Sequence, residues 1–198
     1  MIDSYFRAPY QKILVYPILK FSIFQKITPT ALTGLSCLCG ILTFVFLVFH
    51  FKFLALLVLL LSGYFDTLDG SLARALQKTS EKGAVFDIVS DRLCEFFVIL
   101  GLFSVDPPKR AFLCLCMLGA AFLCVTSFLV IGIFSKNHSN KSFYYSPGLI
   151  ERAEAFIFFS LMIVFPSLFM PLAYLFAFLT FLTTAIRLYQ FQKPILEL

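Results

Sequence analysis

Four aspartates fall within one short stretch of this chain, DTLDGSLARALQKTSEKGAVFDIVSD at positions 66–91. They are Asp66, Asp69, Asp87 and Asp91, and Gly70, Ala73, Arg74 and Gly83 lie among them. The surrounding sequence is largely hydrocarbon, and ionisable groups at or near membrane depth are costly enough to suggest function. Only Gly70 interrupts helix formers between Asp66 and Leu76, so the spacing predicts one helix there. On it Asp66, Gly70 and Arg74 share a stripe, with Asp69 and Ala73 beside it. Gly83, Asp87 and Asp91 are again four apart and predict a second stripe. The connection, about Gln77–Lys82, is short enough to make the two helices antiparallel neighbours whose acids face each other.

Converging carboxylates repel unless a cation sits between them. An all-oxygen donor set suits Mg²⁺ or Mn²⁺, and the absence of Cys and His from the stripes argues against zinc. Four carboxylates exceed what one Mg²⁺ usually takes from protein, which points to two ions. Such a pair clamps a phosphodiester or pyrophosphate for in-line displacement. Gly70 and Ala73 clear space for a ligand, and Arg74 offers a fork of donors to phosphate oxygens. The structural alternative is that small residues four apart build a packing groove and Arg74 is a paired helix-end charge. The joint spacing of all eight residues favours the site.

The elements that must hold these side chains follow from composition. Of 198 residues, 60% are hydrophobic and 14% charged, too little polar surface for a soluble domain of this length. Six apolar runs stand out: roughly 31–51, 53 into the acidic motif, 84–105, 111–134, 149–165 and 172–188. Each is expected to cross the ~30 Å of hydrocarbon, giving an all-α, polytopic membrane protein. Residues 1–198 are expected to form a single membrane domain. Within it, 1–28 form a cytosolic juxtamembrane amphipathic helix bent at Pro17, and 29–198 a bundle of six transmembrane helices.

With six spans, one side of the membrane receives all the Lys and Arg residues except Lys52, Lys109 and Arg110. That bias places both termini and the acidic motif in the cytosol. The net charge of +5 lacks a basic run with interleaved aromatics, so anionic lipid headgroups, not nucleic acid, are the expected partner. The six cysteines lie within apolar runs and are expected to be buried thiols.

The motif DxxDGxxAR, eight residues, then GxxxDxxxD resembles the signature of the CDP-alcohol phosphatidyltransferase family without a mismatch. The six spans, the juxtamembrane helix and the segment ITPTALT opening the first span are similar to family features as well. The resemblance implies a phospholipid-synthesising enzyme that transfers the phosphatidyl group of CDP-diacylglycerol to a hydroxyl of a small polar alcohol, releasing CMP. It implies that Asp66, Asp69, Asp87 and Asp91 hold two divalent cations, with Asp91 also the general base. Gly70, Arg74 and Ser80 would contact the CDP moiety, as would Thr30 and Thr33, where Thr30 stands in place of the family's Asn. Bacterial inner-membrane localisation and a homodimer are further implications.

The acceptor is less constrained. Ser36 occupies a position where members resembling phosphatidylglycerophosphate synthase carry Arg. Lys136 or Lys141, with Arg152 and Arg187, resemble the Lys and two Arg residues with which inositol-phosphate-using members hold the acceptor phosphate. A phosphorylated acceptor, glycerol-3-phosphate or inositol phosphate, is therefore placed ahead of serine or choline. Two bland readings compete: basic residues belong at cytosolic helix ends anyway, and Arg152 is flanked by Glu151 and Glu154. Two other functions are open to the motif. One is a CDP-choline or CDP-ethanolamine phosphotransferase with a lipid acceptor; the other is a small cation or proton transporter, which would spread its acids through the bilayer depth.

Overall fold

The computed structural model describes residues 27–135 and 148–192, together with Pro17. Among the described residues the chain is all helical, and six α-helices follow the six apolar runs. They are α1 (Pro29–Val48), α2 (Lys52–Ala75), α3 (Glu81–Val105), α4 (Pro107–Phe134), α5 (Arg152–Val164) and α6 (Phe169–Gln192). A single 3₁₀ turn, Pro166–Leu168, joins the last two. The expected amphipathic helix and Lys136 and Lys141 lie outside the described residues.

Local sequence explains where the helices begin and end. Thr28 caps α1 by accepting from the Ala31 N–H at 3.3 Å, with Pro29 at the first helical position. Ser80 caps α3 in the same way through the Gly83 N–H at 3.1 Å. Pro107 and Pro108 open α4 immediately after Asp106. Glu151 and Glu154 form a reciprocal capping box at the start of α5. The glutamates flanking Arg152 therefore serve the helix end. Two tight reversals use left-handed residues, His50 (φ 60°) between α1 and α2 and Gln77 (φ 54°) before α3.

Helix α1 packs along both α2 and α3, α4 along α6, and α5 bridges back to α2. The seam between α1 and α3 depends on glycine. A Cβ on Gly101 would lie 3.1 Å from the Phe44 Cα, and one on Gly40 would lie 3.0 Å from the Cys94 Cα. Leu59, Val98, Met117, Phe159 and Phe176 fill the interior. Large apolar side chains also cover the outside, among them Phe53, Phe112 and Ile133, the pattern of a protein dissolved in lipid.

Among the described residues six helices form, and four are long and apolar enough by composition to cross a membrane. They are α1, α2, α4, and α6 with the 3₁₀ turn before it. Helix α3 is 25 residues long but carries the charged half of the motif. Helix α5 has only 13 residues and spans ~20 Å, short of the ~30 Å expected of the fifth run. Glu151 and Pro166 bound it, so the apolar run overestimates its helix.

Candidate active site

Helices α2 and α3 both pack on α1 more than on each other, and acids from the two meet. Asp66, Asp69 and Asp87 each present a carboxylate oxygen within 4.8 Å of the other two. Asp69 is buried and accepts a 2.5 Å hydrogen bond from the Thr33 hydroxyl of α1. That hydroxyl is within 3.2 Å of the Pro29 carbonyl one turn earlier, so the opening turn of α1 orients the acid. One oxygen of Asp87, Oδ1, is buried without a hydrogen-bond partner. Buried polar atoms are rarely left unmatched, and an orphaned carboxylate oxygen facing two other carboxylates suits a hard divalent cation. The donor set therefore fits such an ion.

Asp91 stands one turn further along α3 and faces a different partner. The Arg152 guanidinium, at the first position of α5, bridges Asp91 and Asp66, with Nη1 2.6 Å from Asp66 Oδ1. Its Nη2 lies 3.5 Å from the Ser36 hydroxyl of α1. Ser36 in turn exchanges hydrogen bonds with Ser62 of α2, donating to the Ser62 carbonyl at 2.8 Å and receiving from the Ser62 hydroxyl at its own carbonyl at 2.9 Å. Four helices thus converge on one cation. Arg152 Nε is buried and unpartnered, which leaves it a donor to spare.

Beyond Asp91 the same wall opens into a cavity of about 170 Å³ lined by Asp91, Arg152 and Arg187. Arg187 of α6 is buried, donates to the Cys124 carbonyl at 3.1 Å, faces the Phe128 ring and leaves its own Nε unpartnered. Arg92 and Glu95 also line the cavity, joined by a 2.5 Å ion pair. Two of the four basic residues singled out for an acceptor therefore share a cavity with Asp91, and the other two fall outside the described residues.

The remaining motif residues lie toward the α2–α3 loop and the start of α1. A Cβ on Gly70 would come within 3.4 Å of an Arg74 nitrogen, so the glycine keeps that guanidinium close to its helix. Arg74 is exposed and reaches the Ser71 hydroxyl at 3.3 Å. The Ser80 oxygen is used as the α3 cap, and Thr30 is exposed in the first turn of α1. Sequence inspection missed Glu95 and the contact role of Ser36. Glu95 continues the stripe of Gly83, Asp87 and Asp91 by one more turn, a signal present in the spacing. The contact of Ser36 with Arg152 carried no signal, since the two lie 116 residues apart.

An all-helical membrane bundle with a carboxylate trio abutting an arginine-lined cavity is the architecture of a membrane enzyme that handles phosphate esters. Residues 26–188 match the sequence model of the CDP-alcohol phosphatidyltransferase family, and the chain belongs to that family of enzymes. It is 33% identical over 170 residues to the inner membrane protein YnjF of Escherichia coli, covering 82% of each chain. It is 27% identical over 164 residues to a phosphatidylinositol phosphate synthase of Corynebacterium glutamicum, covering 79% of this chain and 71% of that one. The fold is similar to the crystal structure of Mycobacterium tuberculosis phosphatidylinositol phosphate synthase with CDP-DAG bound. The TM-score is 0.72 at 21% identity, over 88% of this chain and 92% of the other. The protein is an integral membrane protein.

Proposed function

We propose that this enzyme transfers the phosphatidyl group of CDP-diacylglycerol to a hydroxyl of a small, phosphorylated alcohol, acting as one membrane domain. The observation that carries the acceptor class is the cavity where Asp91 meets Arg152 and Arg187. Two guanidiniums with unpartnered nitrogens suit a phosphate far better than a neutral alcohol. The relative named a phosphatidylinositol phosphate synthase agrees with that class.

Asp66, Asp69 and Asp87, with Asp91 at their edge, would hold two divalent cations, Mg²⁺ or Mn²⁺, supplying charge neutralisation at the pyrophosphate and the departing CMP. Arg74, Gly70, Ser80, Thr30 and Thr33 ring the nucleotide, with Arg74 as its phosphate anchor. Before the acceptor binds, Arg152 occupies the Asp91 carboxylate. An acceptor phosphate arriving between Arg152 and Arg187 competes for that guanidinium, and Asp91 is freed to take the hydroxyl proton. The acceptor oxygen then bonds to the lipid-linked phosphorus, the bond from that phosphorus to the CMP oxygen breaks, and the proton rests on Asp91.

The basic bias of the sequence supports a cytosolic position for this site and both termini, and the relative named an inner membrane protein supports a bacterial inner membrane. The lipid-facing helices would also serve a homodimer.

The test is CMP release by the purified protein with CDP-diacylglycerol, comparing glycerol-3-phosphate, inositol-1-phosphate, inositol and serine. Release is expected only with a phosphorylated acceptor, to cease on chelation, and to return with Mg²⁺ or Mn²⁺. Asp91→Asn should bind nucleotide normally and lose turnover by about 10²–10⁴-fold. Release with CDP-choline and diacylglycerol, or full activity in Asp91→Asn, would sink this assignment.

A further inference from the structure

The opposite end of the bundle holds a second basic cavity that phosphatidyl transfer does not use. Arg110, in the first turn of α4, is buried at 6% exposure. A buried cation needs compensation, yet apart from the field of nearby Asp106 its partners are neutral: the Leu102 carbonyl at 3.0 Å, the Pro166 carbonyl at 3.5 Å and the face of Phe169. The carboxylate nearest in sequence, Asp106, is paired with Lys109 at 3.2 Å. Beside Arg110 lies a cavity of about 120 Å³, which His50 and Lys52 also line. No carboxylate lines it among the described residues; the rest of the wall is apolar, including Leu47, Leu102 and Met162. Only three Lys or Arg residues belong to this side of the chain, and two of them face this one space.

The α1–α2 reversal builds the arrangement. His50 takes a left-handed backbone, which turns the chain and sets His50 and Lys52 on the same cavity. Phe49, Phe51 and Phe53 are all exposed around the turn, with the Lys52 ammonium 5.2 Å from the Phe53 ring centre. The cavity is well below the ~300 Å³ at which pockets for drug-sized ligands begin, so it suits a single phosphate and not a nucleotide. Its apolar walls and aromatic surround suit a phosphate that brings acyl chains with it.

We propose that His50, Lys52 and Arg110 bind the headgroup phosphate of a phospholipid at the end of the bundle opposite the aspartates. The site fastens α1, α2 and α4 to one lipid.

The test is lipid binding to the purified full-length protein in detergent, read by native mass spectrometry and by melting temperature. Phosphatidylglycerol, diacylglycerol and inorganic phosphate are compared on wild type, Lys52→Gln and the double variant Lys52→Gln with His50→Asn. Asn tolerates left-handed backbone, so the turn is kept. Phosphatidylglycerol is expected to bind and raise the melting temperature of wild type, while the other two do neither. Lys52→Gln should weaken that binding about fivefold, and the double variant further, with lipid-free melting temperatures unchanged. An equal phosphatidylglycerol response in wild type and the double variant would overturn the proposal. So would an equal response to inorganic phosphate, which would make the ligand a free ion, or to diacylglycerol, which would make the contact purely apolar. Loss of the lipid response in Asp69→Asn would also overturn it by placing the lipid at the catalytic end.

Discussion

Thr33 and Asp69 show how much one hydroxyl can govern at this site. The carboxylate is buried on α2, and its described hydrogen bond from another helix comes from the Thr33 side chain at 2.5 Å. A hydrogen bond to a charged acceptor contributes about 1.5–3 kcal/mol, so Thr33→Val, which keeps the shape and deletes the donor, should disturb the acid. The Mg²⁺ concentration for half-maximal CMP release is expected to rise about tenfold, with Thr33→Ser restoring it. An unchanged Mg²⁺ dependence in Thr33→Val would mean that the bond is incidental. Arg152 works differently, because its role is shared among Asp66, Asp91 and Ser36. It is a cation whose partners can be exchanged, which is what an acceptor carrying a phosphate requires.

At the scale of elements, the hairpin of α2 and α3 needs α1 packed closely against both. Gly101 is one of two points of the α1–α3 seam at which the neighbour cannot yield, since a Cβ there would press on the Phe44 backbone. Gly101→Leu is expected to lower stability by about 1–3 kcal/mol, seen as a reduced melting temperature. Gly119→Leu on α4, where a Cβ meets nothing within 4 Å, is the control and should melt like wild type. The six helices were legible from the apolar runs, whereas the caps at Thr28 and Ser80 are evident only from the structure. The Asp66, Asp69 and Asp87 trio was legible too, because helical spacing and a short loop leave those acids few other directions. Arg152 was legible as a candidate acceptor contact at a helix start, but not as the partner of Asp66 and Asp91. Its bond to Asp66 joins residues 86 apart, and nothing local to either encodes it. The same limit hid the contact of Arg187 with Cys124, where tertiary packing, not periodicity, decides the partner.

For the whole molecule, the sparse basic residues at one end and the dense ones at the other make orientation measurable. The native cysteines lie in helices, so a cysteine-free background can carry single probes at exposed loop sites. Lys109→Cys should react with an impermeant maleimide on intact cells, and Lys78→Cys only after the membrane is opened. The reverse pattern would invert the proposed topology. The brevity of α5 carries a further consequence. Its far end meets the 3₁₀ turn whose Pro166 carbonyl Arg110 holds, so Arg152 stands only ~20 Å above that boundary. Counting along α2 from Lys52 and along α3 from Val105 puts Asp66 and Asp91 at ~21 Å as well. Three helices of unlike length thus agree on one depth, roughly 10 Å beneath the nearer rim of a ~30 Å slab. A lipid substrate can present its phosphates there with its tails still in place, whereas the water-soluble reactant has to sink below the headgroup layer to meet them.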